Sequence, residues 1–544
     1  MIQPAAIVKR TAALLAALFL LLALPAPARA EDCTTAVVSG AATPDGRPLL
    51  WKNRDVDNQN VKLAYISDGP LAAIALVDVG GSASVWMGVN EAGFAIENSN
   101  SEDLEGTSTG GNGSFQRQAL LSCATVAAFE ALLVQTNATG RSTKANYGVI
   151  DATGAAAIFE VGNHTYRKYD ANDPEDAPMG FIVRTNFAIT GDGSGTGQVR
   201  YDRGVELLNG AALADGLTHD FLLRRAARDL KNDAVDPYPL PYESGQDGRP
   251  AGFIRTVYSI NRTSTAAAAV FRGVRSGEEP GLTTMWTILG EPVCSVALPV
   301  WPLAGAVPAD LGGTSRAPLC DAAIVRKGLC YSLQTSPEYI DTKTLDDGLG
   351  GGVFTWTEAV EDWALARAEA ALAGWRETLP TPQAAAALQD ELARQAYWCV
   401  LASSVPNDAL PAPRDLACRV RENRSLILRE YVHVLTWLAP ASGSPAAYRI
   451  YDVTAGGRTL LAEVPAGTLS YLRRGADRTA GTAYAVLAVD ATGAEGSPAC
   501  LGPGAAAGQA GTGLARSQPA QGAEGDVEDP AQARPGRRLT APLP

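Results

Sequence analysis

Between residue 33 and about residue 300, short apolar runs alternate with turn signals. Thr34–Ser39 is β-branched and apolar, Pro44-Asp45-Gly46 is a turn, and Leu49–Trp51 opens a second run, so this stretch predicts a β-hairpin. Leu71–Val79 and Val85–Val89 read as strands on either side of Gly80-Gly81. Asn90-Glu91-Ala92-Gly93 reads as a turn leading into an extended Phe94–Asn98. Within Gln116–Gln135, Leu120, Leu121, Ala124, Ala127, Ala128 and Leu132 recur at three- and four-residue spacing, which predicts a helix. Asn146–Ile150, Ala156–Val161 and Phe181–Thr185 predict further strands, and Val205–Asn209 and Thr218–Leu230 predict helices. Hairpins, then helices, then more sheet give an α+β class of stacked sheets with helices outside.

The pattern then changes period. Thr355–Thr378 predicts a long helix with a capping-box spacing at Thr355 and Glu358 and an apolar face of Trp356, Val360, Trp363, Ala371 and Trp375. Pro380 and Pro382 break it, and Ala384–Trp398 predicts a second helix with Leu388 and Leu392 inward. This helical pair reads as a packing subdomain. From about Ile427, Leu435-Thr436-Trp437, Tyr448–Tyr451, Leu460–Val464, Ser470–Leu472 and Tyr484–Val489 predict a small β-sandwich. Residues after Leu501 are rich in Gly, Ala, Pro and Gln without periodicity and predict a disordered tail.

The other end carries an export signal. Lys9 and Arg10 precede the apolar run Thr11–Leu24, and Pro25-Ala26-Pro27-Ala28-Arg29-Ala30 ends in a small-x-small cleavage site. The run is too short for a good membrane anchor, and no second long apolar segment follows it, so no membrane span is expected after signal removal. A secreted or periplasmic protein is the expectation.

Composition narrows the partners. The chain has 544 residues, 46% of them hydrophobic, which supports two or more domains with cores of their own. Its net charge is −13, and no Lys/Arg run lies outside the signal, which argues against nucleic acid and anionic membrane surfaces as partners. The eight cysteines include no CxxC pair and no His/Cys cluster, so no metal site is expected. In an exported protein some should pair, and Cys320–Cys330 and Cys399–Cys418 are candidate local bridges. If Cys33 stays reduced, seven remain, and at least one more must be unpaired. The three histidines, His164, His219 and His433, lie in no catalytic motif, which favours a mechanism in which an amine moves the proton.

That amine is suggested by Cys33. Removal of Glu31 and Asp32 after signal cleavage would leave one terminal residue bearing both a thiol and an α-amine. A free thiol has a pKa of about 8.5, and an α-amine titrates near ~7.7–8.0. Nucleophile and base would then come from a single residue. Removing Glu31-Asp32 needs a second step, for which self-cleavage by Cys33 is one route. The competing reading of the same position is that Cys33 opens a disulfide.

Cys33-Thr34-Thr35, Thr43-Pro44-Asp45-Gly46 and Trp51-Lys52-Asn53-Arg54-Asp55 resemble the start of the N-terminal-nucleophile amide hydrolases. The resemblance is to their linear-amide group of choloylglycine hydrolases, penicillin V acylases and isopenicillin-N acyltransferases, and it covers roughly residues 33–300. Lys52 stands where Arg is usual, and Arg54 is the alternative substrate-side contact. The resemblance implies that Asp55 holds the N-terminal amine. Gly88-Val89-Asn90-Glu91-Ala92-Gly93-Phe94 is similar to the family's G-x-N-E-x-G-L segment, which implies an oxyanion-hole asparagine at Asn100, with Asn98 nearby. Thr185-Asn186 is similar to the family's T-N segment and implies an oxyanion role for Asn186. Arg262 resembles its late active-site arginine.

The resemblance implies a four-layer αββα sandwich over residues 33–330, followed by a helical extension at 331–425. Residues 426–502 resemble a fibronectin type III module, and 503–544 form the tail. It implies hydrolysis or transfer of a linear amide through a Cys33 thioester, with no cofactor and a small-molecule amide as substrate. The acyl and amine groups and the oligomeric state stay open. Two alternatives also stay open: a secreted N-terminal-cysteine dipeptidase, and an exported non-catalytic binding protein with Cys33 in a disulfide.

Overall fold

The computed structural model describes residues 32–107, 110–348, 352–402, 410, 412–424, 429–440, 443–453, 459–476, 483–493 and 495–501. The export signal, Glu31 and the 503–544 tail lie outside the described residues. The strands are β1 (Thr34–Val38), β2 (Leu49–Asp55), β3 (Val61–Ile66), β4 (Ala73–Asp78), β5 (Met87–Asn90), β6 (Ala95–Asn100), β7 (Ala145–Ile150), β8 (Ala156–Val161), β9 (Tyr166–Asp170) and β10 (Phe181–Arg184). After them come β11 (Phe253–Arg255), β12 (Thr265–Arg272), β13 (Thr284–Leu289), β14 (Ala297–Val300) and β15 (Tyr339–Asp341). The architecture is mixed α and β, with several antiparallel sheets.

One six-stranded sheet runs β10-β1-β2-β12-β13-β14, and one seven-stranded meander runs β3 through β9 in chain order. β1 and β2 form the expected antiparallel pair. β1 is flanked on both sides and covered on both faces, so all five of its residues are buried. That explains an unbroken Thr-Thr-Ala-Val-Val run where a half-exposed strand would alternate. The two sheets meet at Gly148 of β7, where a Cβ would sit 2.2 Å from Glu97 Oε1 and 3.1 Å from Val37 Cγ2. Only a bare backbone permits this approach.

The predicted helix over Gln116–Gln135 is instead two helices, α1 (Asn112–Ser122) and α2 (Val126–Thr139). Cys123 turns extended, and Thr125 caps the second helix by accepting from the Ala128 amide at 3.1 Å. Their buried residues join Phe94, Tyr147 and Phe159 of the meander in an aromatic core, where Phe129 meets Phe159 edge-on at 5.3 Å. Helix α3 (Gln198–Leu213) is much longer than its predicted Val205–Asn209 fragment. The predicted Thr218–Leu230 helix shortens to a Thr218-capped turn followed by a wider turn over Leu222–Ala226.

α4 (Pro318–Cys330), α5 (Val353–Glu377) and α6 (Pro382–Ala402) follow. α5 starts at a Gly352 cap, two residues before the expected start; the side chains of Thr355 and Trp356 lie outside the described residues. Pro382 opens α6, since the first helical position needs no amide donor. Trp363, Ala364, Leu372 and Leu392 join Trp51, Val270, Trp286 and Leu298 of the six-stranded sheet in one core. No helix among the described residues is long and apolar enough to cross a membrane.

Two further sheets run β16 (Arg414–Arg424), β17 (Arg429–Leu438), β20 (Ser470–Arg474), and β19 (Thr459–Pro465), β18 (Ala447–Asp452), β21 (Tyr484–Val489), β22 (Glu495–Leu501). β16 pairs with β17 although it precedes Ile427, so the last dozen residues of the expected helical stretch at 331–425 contain a strand. Its charged sequence hides the strand, because only one face is covered. β3 and the polar edge strand β9 were likewise not predicted.

Neither candidate cysteine bridge forms. Cys320 and Cys330 sit near opposite ends of α4, roughly 15 Å apart at helical rise, against a limit of about 7 Å between bridged Cα atoms. Cys320 donates to the Gln59 carbonyl at 3.5 Å. Cys418 carries a thiol in the β16–β22 core, and burial pushes its pKa up to about 11.

Candidate active site

Thr34 pairs with Asn53 and Thr35 with Lys52. The same register brings Cys33 opposite Arg54, and the Asp32 amide donates to the Asp55 carbonyl at 3.0 Å. Alternation puts Cys33 on the face of β1 shared by Thr35 and Val37. That face looks toward the meander, since Thr35 Oγ1 donates to Glu97. Cys33 is fully buried.

Asp55 ends β2 and is buried. Thr265, its neighbour on β12, donates to Oδ1 at 2.6 Å, while Oδ2 accepts no hydrogen bond and lies 3.8 Å from Arg262 Nη1. Burial pushes the carboxyl up to about 7 against the pull of Arg262 and Arg200. Asn53 fixes the approach of Arg262 by donating to the carbonyls of Ile260 at 3.2 Å and Ala227 at 2.9 Å. Arg262 Nη1 is also 3.3 Å from the Asp32 carboxylate.

Asn186 follows β10 and bridges to Thr196. Ser99 and Asn146 hold the preceding carbonyl of Thr185, at 2.5 and 3.2 Å. Asn186 Nδ2 donates to the Asn100 carbonyl at 3.0 Å, and its Oδ1 accepts from Arg200 at 2.9 Å. Arg200 reaches the site from the first turn of α3. Its Nη1 donates to the Cys33 carbonyl at 2.6 Å and to Thr34 Oγ1 at 3.0 Å. The guanidinium is nearly inaccessible, and burial pulls its pKa below the usual arginine value. Sequence reasoning missed Arg200, which belongs to no motif; the short predicted helix also began after it.

The structure thus gathers Cys33, Asp55, Arg262 and Asn186 around one strand end, with Arg200 among them. Asn100 joins through its backbone. Its side chain donates to Glu102 at 2.9 Å and accepts from Asn112 at 2.9 Å. The proposed substrate-side residues are deep inside. Lys52 Nζ donates to the Trp86 carbonyl at 2.9 Å and to Asn98 Oδ1 at 3.0 Å, leaving the buried Asn98 Nδ2 without a hydrogen bond. Arg54 pairs with Asp78 at 3.0 Å and lies over Trp86 at 4.4 Å. Glu97, between the sheets, was also missed; burial pushes its carboxyl up to about 7 against the pull of Lys52.

The histidines have structural surroundings. His219 stacks on Trp286 at 5.6 Å, and burial lowers its pKa to about 3. His164 Nδ1 lies 3.0 Å from the Asn137 carbonyl, and His433 Nδ1 lies 2.7 Å from the Tyr484 hydroxyl. Asn90 and Gly93 make the turn after β5. Asn90 donates to the carbonyls of Leu120 and Cys123, both at 2.8 Å, and Gly93 adopts φ +77. Among the described residues, no group of three or more His, Cys, Asp or Glu is placed to hold a metal ion.

No protein-family model matches the chain, and no curated protein matches it. Among solved structures, a variant of the conjugated bile acid hydrolase from Clostridium perfringens aligns at 12% identity over 50% of this chain and 92% of its own, with a TM-score of 0.29. Penicillin V acylase from Agrobacterium tumefaciens aligns at 14% identity over 49% of this chain and 85% of its own, with a TM-score of 0.27. A structure described as an FN3tt mutant aligns at 17% identity over 18% of this chain and 96% of its own, with a TM-score of 0.14.

Proposed function

We propose that this chain is an exported amidase or acyltransferase that cleaves a linear amide through a thioester on Cys33, after Glu31 and Asp32 have been removed. The reading takes the two facing sheets and their outer helices as a four-layer sandwich. It takes β16–β22 as a fibronectin type III-like module.

The observation that carries the proposal is the Asp55 carboxylate beside the start of β1. One of its oxygens is held by Thr265, and the other accepts no hydrogen bond. Freed by cleavage, the neutral Cys33 α-amine has the buried Asp55 carboxyl next to it across the β1–β2 pair. The thiol passes its proton to that amine, and the thiolate attacks the substrate carbonyl. Asn186, held by Arg200, stabilises the oxyanion, while Asn100 contributes by fixing Asn186. The Cys33 amine then protonates the leaving nitrogen, and water or an acceptor amine resolves the thioester.

The test is mass spectrometry of the exported protein with iodoacetamide labelling, followed by a panel of penicillin V, a conjugated bile acid, simple N-acyl amines and dipeptides. A chain beginning at Cys33 with a labelled thiol, active on an acyl amide and inactive as Cys33→Ser, is expected. A chain that keeps Glu31, or a Cys33→Ala protein with full turnover, overturns the proposal. Turnover of dipeptides alone would assign a dipeptidase.

A further inference from the structure

The last turn of α4 lies against the tight turn Pro292–Cys294 that follows β13. Three contacts fix this approach. Lys327 Nζ lies 3.2 Å from Glu291 Oε2, the Tyr331 hydroxyl donates to Glu291 Oε1 at 2.5 Å, and Arg326 Nη1 donates to the Cys294 carbonyl at 3.5 Å. At the centre of this contact are two cysteines, Cys294 and Cys330. Both are fully buried, both carry free thiols in this structure, and both belong to the same apolar cluster with Leu230, Ile254 and Ile340, their side chains adjacent. Of the other described thiols, Cys123, Cys320, Cys399 and Cys418 belong to different clusters, and Cys33 lies at the start of β1.

The two sulfurs are chemically unequal. The hydrogen bond from Cys294 stabilises a thiolate on Cys330 and lowers its pKa, with help from Thr344. Burial, and donation to that neighbour, raise Cys294.

We infer that Cys294 and Cys330 form a disulfide in the exported protein, stapling α4 to the turn after β13. The oxidant is a protein disulfide of the oxidising compartment. The thiolate of one cysteine attacks one of the oxidant's sulfurs, breaking that bond, forming a mixed disulfide and releasing a thiolate. The other cysteine then loses its proton and attacks this chain's own sulfur in the mixed disulfide, displacing the oxidant's sulfur. The pair gives up two electrons and two protons, and the oxidant becomes a dithiol. Because neither sulfur is accessible in the folded chain, the bond forms before this core closes and is shielded from reductants afterwards.

The staple also bears on the candidate site. Glu291 accepts from Asn261 Nδ2 at 2.8 Å, and Asn261 Oδ1 accepts from the Val293 amide at 3.1 Å. The clamped turn thus anchors the residue immediately before Arg262. The inference stands on the thiol pair and on export, and it does not depend on the amidase reading.

Peptide mapping of the full-length exported protein tests it. The protein is denatured and alkylated without reduction. The expected result is one linked species joining the Cys294 and Cys330 peptides, which separates on reduction. Thermal unfolding of the wild type should also occur at a lower temperature in the presence of reductant, a response missing from the Cys294→Ala/Cys330→Ala protein. Finding both cysteines individually alkylated in the unreduced protein, or either one linked elsewhere, overturns the inference.

Discussion

Asp32 and Asp55 share one arginine. The Asp32 amide donates to the Asp55 carbonyl, and both carboxylates face the Arg262 guanidinium, at 3.3 and 3.8 Å. Asp32 also lies 3.9 Å from Arg200, so the residue before Cys33 is held by backbone and by charge. Asp32→Asn keeps the backbone contact and removes the charge. If Cys33 performs the cleavage, mature chain should appear about two- to fivefold more slowly, the loss expected for ion pairs of a half-exposed carboxylate worth ~0.5–1 kcal/mol. Time-resolved mass spectrometry of the N-terminus reads this directly.

Asp55→Asn replaces the anion beside the expected ammonium while keeping an oxygen for Thr265. Turnover should fall by about 10²-fold or more, with folding retained. Unchanged kcat and an unchanged pH–rate profile would remove Asp55 from the reaction.

Arg200→Gln should act through Asn186. Without its guanidinium the Asn186 amide loses a partner and the Cys33 carbonyl loses another. The expected result is a fall in kcat approaching that of Asn186→Ala, about 10²–10³-fold, with a smaller change in KM. The double variant should be little slower than either single one, because both act on the same donor.

Asn100→Ala separates position from chemistry. Its side chain bonds Glu102 and Asn112, while its carbonyl, which every residue retains, holds Asn186. Truncation should cost about 1–2 kcal/mol of stability and leave kcat within roughly fivefold, well short of the loss of an oxyanion donor. Denaturant unfolding and steady-state kinetics on one preparation give both numbers.

Glu97 sets a pH dependence of stability. Its carboxyl titrates at about 7 when folded, against an ordinary 4.5. Between those values the native state keeps a proton that the unfolded chain has released. This group's contribution is therefore complete below pH 4.5 and is lost as pH rises through 7. Glu97→Gln should remove up to ~1.4 kcal/mol per pH unit from the downward slope in that window. Melting curves at a series of pH values between 4 and 8 would reveal it, and parallel profiles for the two proteins would contradict it.

Much of the sheet framework was legible because β1, β2, β7 and β8 carry runs whose composition suits a strand and whose ends carry turn residues. What escaped depends on tertiary context. The break at Cys123 is invisible to a periodicity that continues through it, and β16 is too charged to read as a strand. Asp55 and Asn186 could be selected because they stand in motifs, and Arg262 because it resembles the family's late arginine. Arg200 could not, since it arrives from a helix and acts by reaching a carbonyl and an amide. Lys52, Arg54, Asn98 and Asn100 were selected by their place in the motifs. Count does not reveal that their side chains are already engaged inside.

β1 lies between β10 and β2, and β2 in turn borders β12, which supplies Thr265 and follows Arg262. The strand that begins beside Cys33 is synthesised first, yet its neighbour β10 and the β12 strand beyond β2 leave the ribosome much later. A partly translated or truncated chain therefore has the sulfur but lacks its surroundings. Under the proposed thioester mechanism, catalysis waits for completion of the sheet, and an emerging polypeptide would travel through the cell as an ordinary thiol.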